Sequence, residues 1–164
     1  MRTIESSLLK EKGKFPPSIR KCVGAGRANE LLRKAALDQL EQTYQDCGFQ
    51  YLRFHGLFAE DMGVYKETTD GKPIYNFQYI DMLYDELLQI GIRPFVELSF
   101  MPDALASGTQ TVFWWKSNVT PPTDYSKWGN LIRKFAEHLV MRYGLEEVEN
   151  WYFEVWNEPN HPAF

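Results

Sequence analysis

The sequence predicts an α/β fold built on a parallel sheet, and three features carry that reading. Four short apolar runs alternate with three amphipathic runs of helical period, the pattern of repeated strand–helix–strand units. Helix-to-strand links are short, whereas two of the strand-to-helix links are long. Period-two alternation along the later strands places one charged side chain per strand on a common face.

The first strand is expected over residues 21–23, ending in Gly24-Ala25-Gly26. A helix follows over about 30–47, with Asn29 as N-cap and Leu32, Ala36, Leu40, Thr43 and Cys47 on one face. Gly48 suits the position just past its end. The second strand is 51–55. The second helix covers about 77–90, capped by Asn76, with Ile80, Leu83, Leu87 and Leu88 as its apolar stripe and Gly91 as its stop. The third strand is 93–99. The third helix covers about 125–143, capped by Thr123 or Asp124, with a stripe of Trp128, Leu131, Ile132, Phe135, Leu139 and Val140 ended by Gly144. His138 lies in its middle and is expected at the surface. The last strand is 151–156. The links 56–75 and 100–122 lie at the C-terminal ends of their strands, where barrels and open α/β sheets bind ligands, and loops of about 20 residues are usually functional.

Composition narrows the functional classes. A chain of 164 residues suits one domain. With 18 Lys+Arg against 22 Asp+Glu, a net charge of −4 argues against a general nucleic-acid binder. No run approaches the ~18 apolar residues of a membrane span, and the first residues show no secretory signal, so a soluble, cytoplasmic protein is expected. Cys22 and Cys47 lack metal-like spacing, as do His55, His138 and His161, and neither a metal nor a cofactor is expected. Gly24-Ala25-Gly26 supplies only two glycines of a dinucleotide fingerprint, with Asn29 where the third belongs. Glu146, Glu147 and Glu149 read as a solvated loop.

Alternation gives the first clue to a site. Arg53 and His55 share a face of the second strand, Glu97 and Ser99 of the third, and Glu154, Trp156 and Glu158 of the fourth. The opposite set, including Phe153 and Val155, is expected to pack on helices. Inside a barrel the charges must be paired, which makes Arg53 the centre of an ionic layer between Glu97 and Glu154. The alternative is a solvated sheet face. The fourth strand ends in Asn157-Glu158-Pro159, and a proline without an N–H stops the ladder there. Glu158 therefore sits at the ligand-facing rim, where a carboxylate can serve as a general acid.

The string Trp151-Tyr152-Phe153-Glu154-Val155-Trp156-Asn157-Glu158-Pro159-Asn160 resembles the fourth-strand motif of glycoside hydrolase family 39, in the clan of retaining barrel glycosidases. The likeness extends through Val23-Gly24-Ala25-Gly26-Arg27-Ala28, Arg53-Phe54-His55-Gly56-Leu57-Phe58 and Asp61-Met62-Gly63-Val64-Tyr65. It continues in Arg93-Pro94-Phe95-Val96-Glu97-Leu98-Ser99-Phe100-Met101-Pro102 and Asn118-Val119-Thr120-Pro121-Pro122. These strings look closer to the β-xylosidases of the family than to its α-L-iduronidases.

The resemblance implies a partial (β/α)8 (TIM) barrel of about the first four strands and three helices. Residues 1–20 would be an N-terminal extension, and 21–164 the N-terminal half of the catalytic barrel. It implies Glu158 as acid/base and Asn157 as the partner of the sugar 2-hydroxyl. It also implies that His55, Trp114 and Phe164 line the sugar pocket. His55 could instead be a satisfied rim histidine, and Trp114 and Trp115 could pack their own loop. The nucleophile of this clan ends the seventh strand, beyond the four read here. The expected activity is an exo-acting β-xylosidase cutting xylo-oligosaccharides; the alternative is an inactive half-barrel or a weak carbohydrate-binding fragment. Open sheet edges lead to an expectation of self-association.

Overall fold

The computed structural model describes residues 3, 13, 14 and 16–164, so most of the expected extension at 1–20 lies outside the described residues. A four-stranded parallel sheet is formed by β1 (Cys22–Arg27), β2 (Tyr51–His55), β5 (Arg93–Glu97) and β8 (Tyr152–Glu154), side by side in chain order. That order matters: a doubly wound sheet reverses its strand order, whereas a barrel adds each new strand beside the last. Register runs across all four strands, with Cys22 opposite Tyr51, Tyr51 opposite Arg93, and Glu97 opposite Glu154.

The helices agree with the sequence at their ends and differ within. The first helical run is broken: α1 (Ala28–Leu31) stops, Arg33 is extended, and α2 (Lys34–Cys47) starts anew. Asn29 is not its cap but lies inside α1, and its amide donates to the carbonyl of Asp61. After the break, α2 presents Leu40 inward with Leu37 and Tyr44, while Thr43 and Cys47 are exposed. Gly48 takes the left-handed conformation that closes α2, and Gly91 does the same for α3 (Gln78–Ile90). Asn76 Oδ1 accepts from the Gln78 N–H at the start of α3. For α4 (Tyr125–Tyr143) the cap is Asp124, whose side chain accepts from the N–H groups of Ser126 and Lys127.

Leu52 and Phe54 from β2 and Val96 from β5 meet Ile80, Leu83, Tyr84 and Leu87 of α3 and Leu131, Phe135 and Leu139 of α4. Fully burying such side chains stabilises the fold by roughly 1.5–3 kcal/mol each. His138 is half-buried rather than fully solvated: it hydrogen-bonds Asp81 at 2.6 Å and packs against Phe77, tying α4 to α3. Both long loops contain structure of their own, a hairpin of β3 (Tyr65–Glu67) with β4 (Pro73–Tyr75) and another of β6 (Thr111–Val112) with β7 (Ser117–Asn118). Among the described residues no helix is long and apolar enough to cross a membrane.

Two further expectations are corrected. Phe153, on the outer face of β8, and Val155, just past its end, are 46% and 72% exposed, because no described helix covers that edge. Glu147 is not a solvated loop residue. It belongs to α5 (Leu145–Val148), forks with Arg93 at 2.7 and 2.9 Å, and accepts from the Trp151 indole at 2.9 Å.

Those hydrogen bonds, Arg93's first, hold the Glu147 carboxyl below its ordinary range. A carboxylate whose folded pKa is depressed contributes stability above its unfolded pKa, about 4.3, and loses it as pH falls through the folded value. Both partners are partly exposed, so the contribution is about 0.5–1 kcal/mol. Glu147→Gln is therefore expected to lower the urea midpoint at neutral pH and to bring it level with the parent in acid. Parallel curves for the two proteins across that pH range would refute the coupling.

Candidate active site

The inner face of the sheet carries the ionic layer that alternation placed there. Arg53 donates through Nε and Nη2 to Glu154 at 2.7 and 2.9 Å, and Nη2 lies 2.6 Å from Glu97 Oε2. The Glu97 side chain is wholly buried, so its charge depends on those partners. Glu154's hydrogen bonds, with the charge of Glu97, raise the affinity of the Arg53 guanidinium for its proton. Glu97 is also bonded by the Ser99 hydroxyl and by His55 Nδ1, the latter at 2.8 Å. A carboxylate only accepts, so Nδ1 carries the hydrogen and Nε2 is the ring nitrogen left for a ligand. His55 is thus both a satisfied rim histidine and a member of the rim site.

Asn157 is 5% exposed and accepts from Arg53 Nη2 at 2.8 Å. Arginine has only donors, so the amide oxygen must face it, and the Asn157 NH2 group is the part free to meet a hydroxyl oxygen. The neighbouring Glu158 is exposed and takes φ +42°, a left-handed conformation costing a non-glycine residue ~1–3 kcal/mol. Its carbonyl accepts from the His161 N–H at 2.8 Å, closing a turn just past the strand. Glu97 and Glu154, the carboxylates nearest in the layer, are both committed to Arg53.

The other two sequence-selected residues separate. Phe164 stacks on Phe100 at 6.0 Å with the rings 13° from parallel, and Phe100 lies the same distance from the His55 ring. Trp114 stands apart from that cluster: it is 74% exposed and lies against Arg27 and edge-on to Trp115. The ring of its hairpin that packs against His55 is Phe113, with ring centroids 5.4 Å apart. Sequence reasoning did not single out Phe113, Phe100 or Arg27. The Phe113-Trp114-Trp115 run in a long strand-to-helix loop was the available signal for the first of them. A cavity of about 430 Å³ also borders Phe164 and Trp156. Val155 and Trp128 line it but Arg53, His55 and Glu158 do not, so the polar chemistry lies on the inner face of the sheet beside it.

A parallel βα sheet whose strands lie side by side in chain order, with a charge-paired inner face, is part of a (β/α) barrel. The sequence profile of glycosyl hydrolases family 39 matches residues 3–164. The chain is 54% identical over 150 residues to a beta-xylosidase of Geobacillus stearothermophilus, covering 90% of this chain and 30% of that protein. It is 50% identical over 155 residues to a beta-xylosidase of Caldicellulosiruptor saccharolyticus, covering 94% of this chain and 32% of that one. The solved GH39 beta-xylosidase of Caulobacter crescentus superimposes with a TM-score of 0.86 at 42% identity, covering 96% of this chain and 35% of the other. The chain belongs to glycosyl hydrolases family 39, and it spans about a third of the length of the relatives it matches.

Proposed function

We propose that the protein carrying this sequence is a retaining, exo-acting β-xylosidase acting on xylo-oligosaccharides, with Glu158 as general acid/base. The observation that carries this reading is the Asn157–Glu158 pair at the rim of β8, with the Asn157 carbonyl fixed by Arg53 so that its NH2 group serves a sugar hydroxyl. The beta-xylosidase relatives support the substrate class.

In the first step the Glu158 carboxyl protonates the glycosidic oxygen as a carboxylate nucleophile attacks C1. The C1–O bond breaks and a glycosyl ester forms. In the second step the Glu158 carboxylate takes a proton from water as that water attacks C1; the ester C1–O bond breaks, the nucleophile leaves as a carboxylate and the sugar is released. Arg53 holds Glu97 and Glu154, so the nucleophile comes from residues beyond those four strands. His55, held by Glu97, offers the pyranose a polar contact, and the Phe113 and Phe164 rings, packed on the buried Phe100, offer an apolar face. The test is hydrolysis of xylobiose by the full-length protein, with and without Glu158→Ala; undiminished turnover in the variant would overturn the assignment.

For the 164-residue chain alone, we propose pairing with a second copy. Among the described residues β1 and β8 are the two open edges of the sheet, and Tyr152 and Phe153 of β8 and Val155 just past it expose apolar surface. Sedimentation velocity is expected to show a dimer whose population rises with concentration, and a monodisperse monomer at all concentrations would contradict it.

A further inference from the structure

Arg27 ends β1 directly across the ladder from His55, and it is only 6% exposed. Buried arginines are seldom found unpaired. Its partners come from two separate loops. Nη2 is ion-paired with Asp61 in the segment after β2. The guanidinium carbon lies 4.8 Å from the ring centre of Trp115 and 5.3 Å from that of Trp114, both in the turn between β6 and β7. Nε is buried as well and has no acceptor among the described residues. One carboxylate and two indole faces therefore hold this side chain, and a planar guanidinium, which can stack as well as attract, suits the indoles better than an ammonium.

The turn that Arg27 holds is strained at both ends. Phe113 has φ +61° and Lys116 φ +54°, and neither is glycine. Such conformations persist only where the surroundings over-determine them, and they gather at ligand clamps. Trp115 is fixed on its other side by its indole N–H, which donates to the Ser117 hydroxyl at 2.7 Å. The strain delivers one ring: Phe113 stacks on Trp115 at 4.4 Å and faces His55 at 5.4 Å. An unbroken run of contacts thus leads from Asp61 through Arg27, Trp115 and Phe113 to His55 and the ionic layer.

We infer that Arg27 is a positioning residue for the sugar site: by clamping Trp115 it sets the Phe113 face beside His55, so that one wall of the site is fixed before ligand arrives. This inference rests on the β-xyloside reading of the rim. Arg27 touches no ligand and acts through the aromatic pair. A wall that is already in place lowers the ordering cost of binding and leaves proton transfer at Glu158 alone.

The test is made on the full-length protein labelled with 5-fluorotryptophan, comparing Arg27→Met and Arg27→Lys with the parent and using Trp115→Phe to assign the Trp115 resonance. In Arg27→Met the Trp115 fluorine signal is expected to shift and broaden. KM for an aryl β-xyloside is expected to rise about tenfold with kcat within about twofold, the signature of lost ground-state binding. Arg27→Lys keeps a cation for Asp61 but no flat face for the indoles, and is expected to fall between the two. An unchanged Trp115 signal in Arg27→Met overturns the clamp whatever the activity. A moved signal with unchanged KM, or a fall in kcat at constant KM, shows Arg27 to be structural only and overturns its role in the sugar site. If the unsubstituted protein does not hydrolyse the xyloside, the functional reading and the sugar role fail together, while the fluorine signal still decides whether Arg27 holds the turn.

Discussion

Glu158→Ala is expected to lower the rate of xylobiose hydrolysis by about 10²–10⁴-fold, the usual contribution of a positioned general acid. The same variant should form its glycosyl-enzyme almost normally from a dinitrophenyl β-xyloside. The contrast follows from the leaving group: a sugar alkoxide needs a proton as it departs, whereas a dinitrophenolate does not. The second step still needs a base, so the covalent intermediate should accumulate, with a burst of phenolate followed by slow turnover. A small anionic nucleophile such as azide requires no base and should restore the steady-state rate, giving a xylosyl azide. Equal losses on both substrates, or failure of azide to change the rate, would show that Glu158 is not the acid/base. Glu158 is exposed and lies past the end of its strand, the placement that the proposed contact with a leaving group requires.

Arg53→Met is expected to destabilise the fold by about 3–5 kcal/mol, the typical loss when one partner of a buried ion pair is removed. The methionine fills most of the space, so the effect is electrostatic. The wholly buried Glu97 and the half-buried Glu154 would be left facing one another with no shared cation. Set against a typical domain stability of about 5–15 kcal/mol, this removes between about a fifth and nearly all of the margin. Adding Glu97→Gln should recover part of the loss, because it removes a charge while keeping a partner for Ser99 and His55. Urea midpoints for the parent, the single and the double variant measure all of this, and a single variant as stable as the parent would show that the layer contributes nothing.

Much of the architecture was legible because it is written in short stretches. The span of β2, the caps at Asp124, Gly48 and Gly91, and the apolar stripe of α3 each depend on a handful of neighbouring residues. The ionic layer was legible for a similar reason: a period of two fixes the face of Arg53, Glu97 and Glu154 within their own strands, and chain-ordered parallel strands then make them neighbours. What escaped depends on contacts between distant segments. The break at Arg33 leaves the apolar periodicity intact, so only the packed structure reveals it. Glu147 looked solvated because its charge is surrounded by other acids in sequence, yet Arg93 and Trp151 meet it in space.

The sequence by itself determined the parallel βα order, the rim position of Asn157 and Glu158, and the shared face of Arg53, Glu97 and Glu154. Backbone periodicity, capping and proline geometry are local, and they leave few alternatives. Only the tertiary structure decided which aromatic faces His55. Phe113 took that place and Trp114 went outside because Arg27 and Asp61, from two other segments, converge on one turn and clamp Trp115. No local pattern encodes that convergence, since a buried guanidinium finds its carboxylate and its indoles only once the loops that carry them have been folded together.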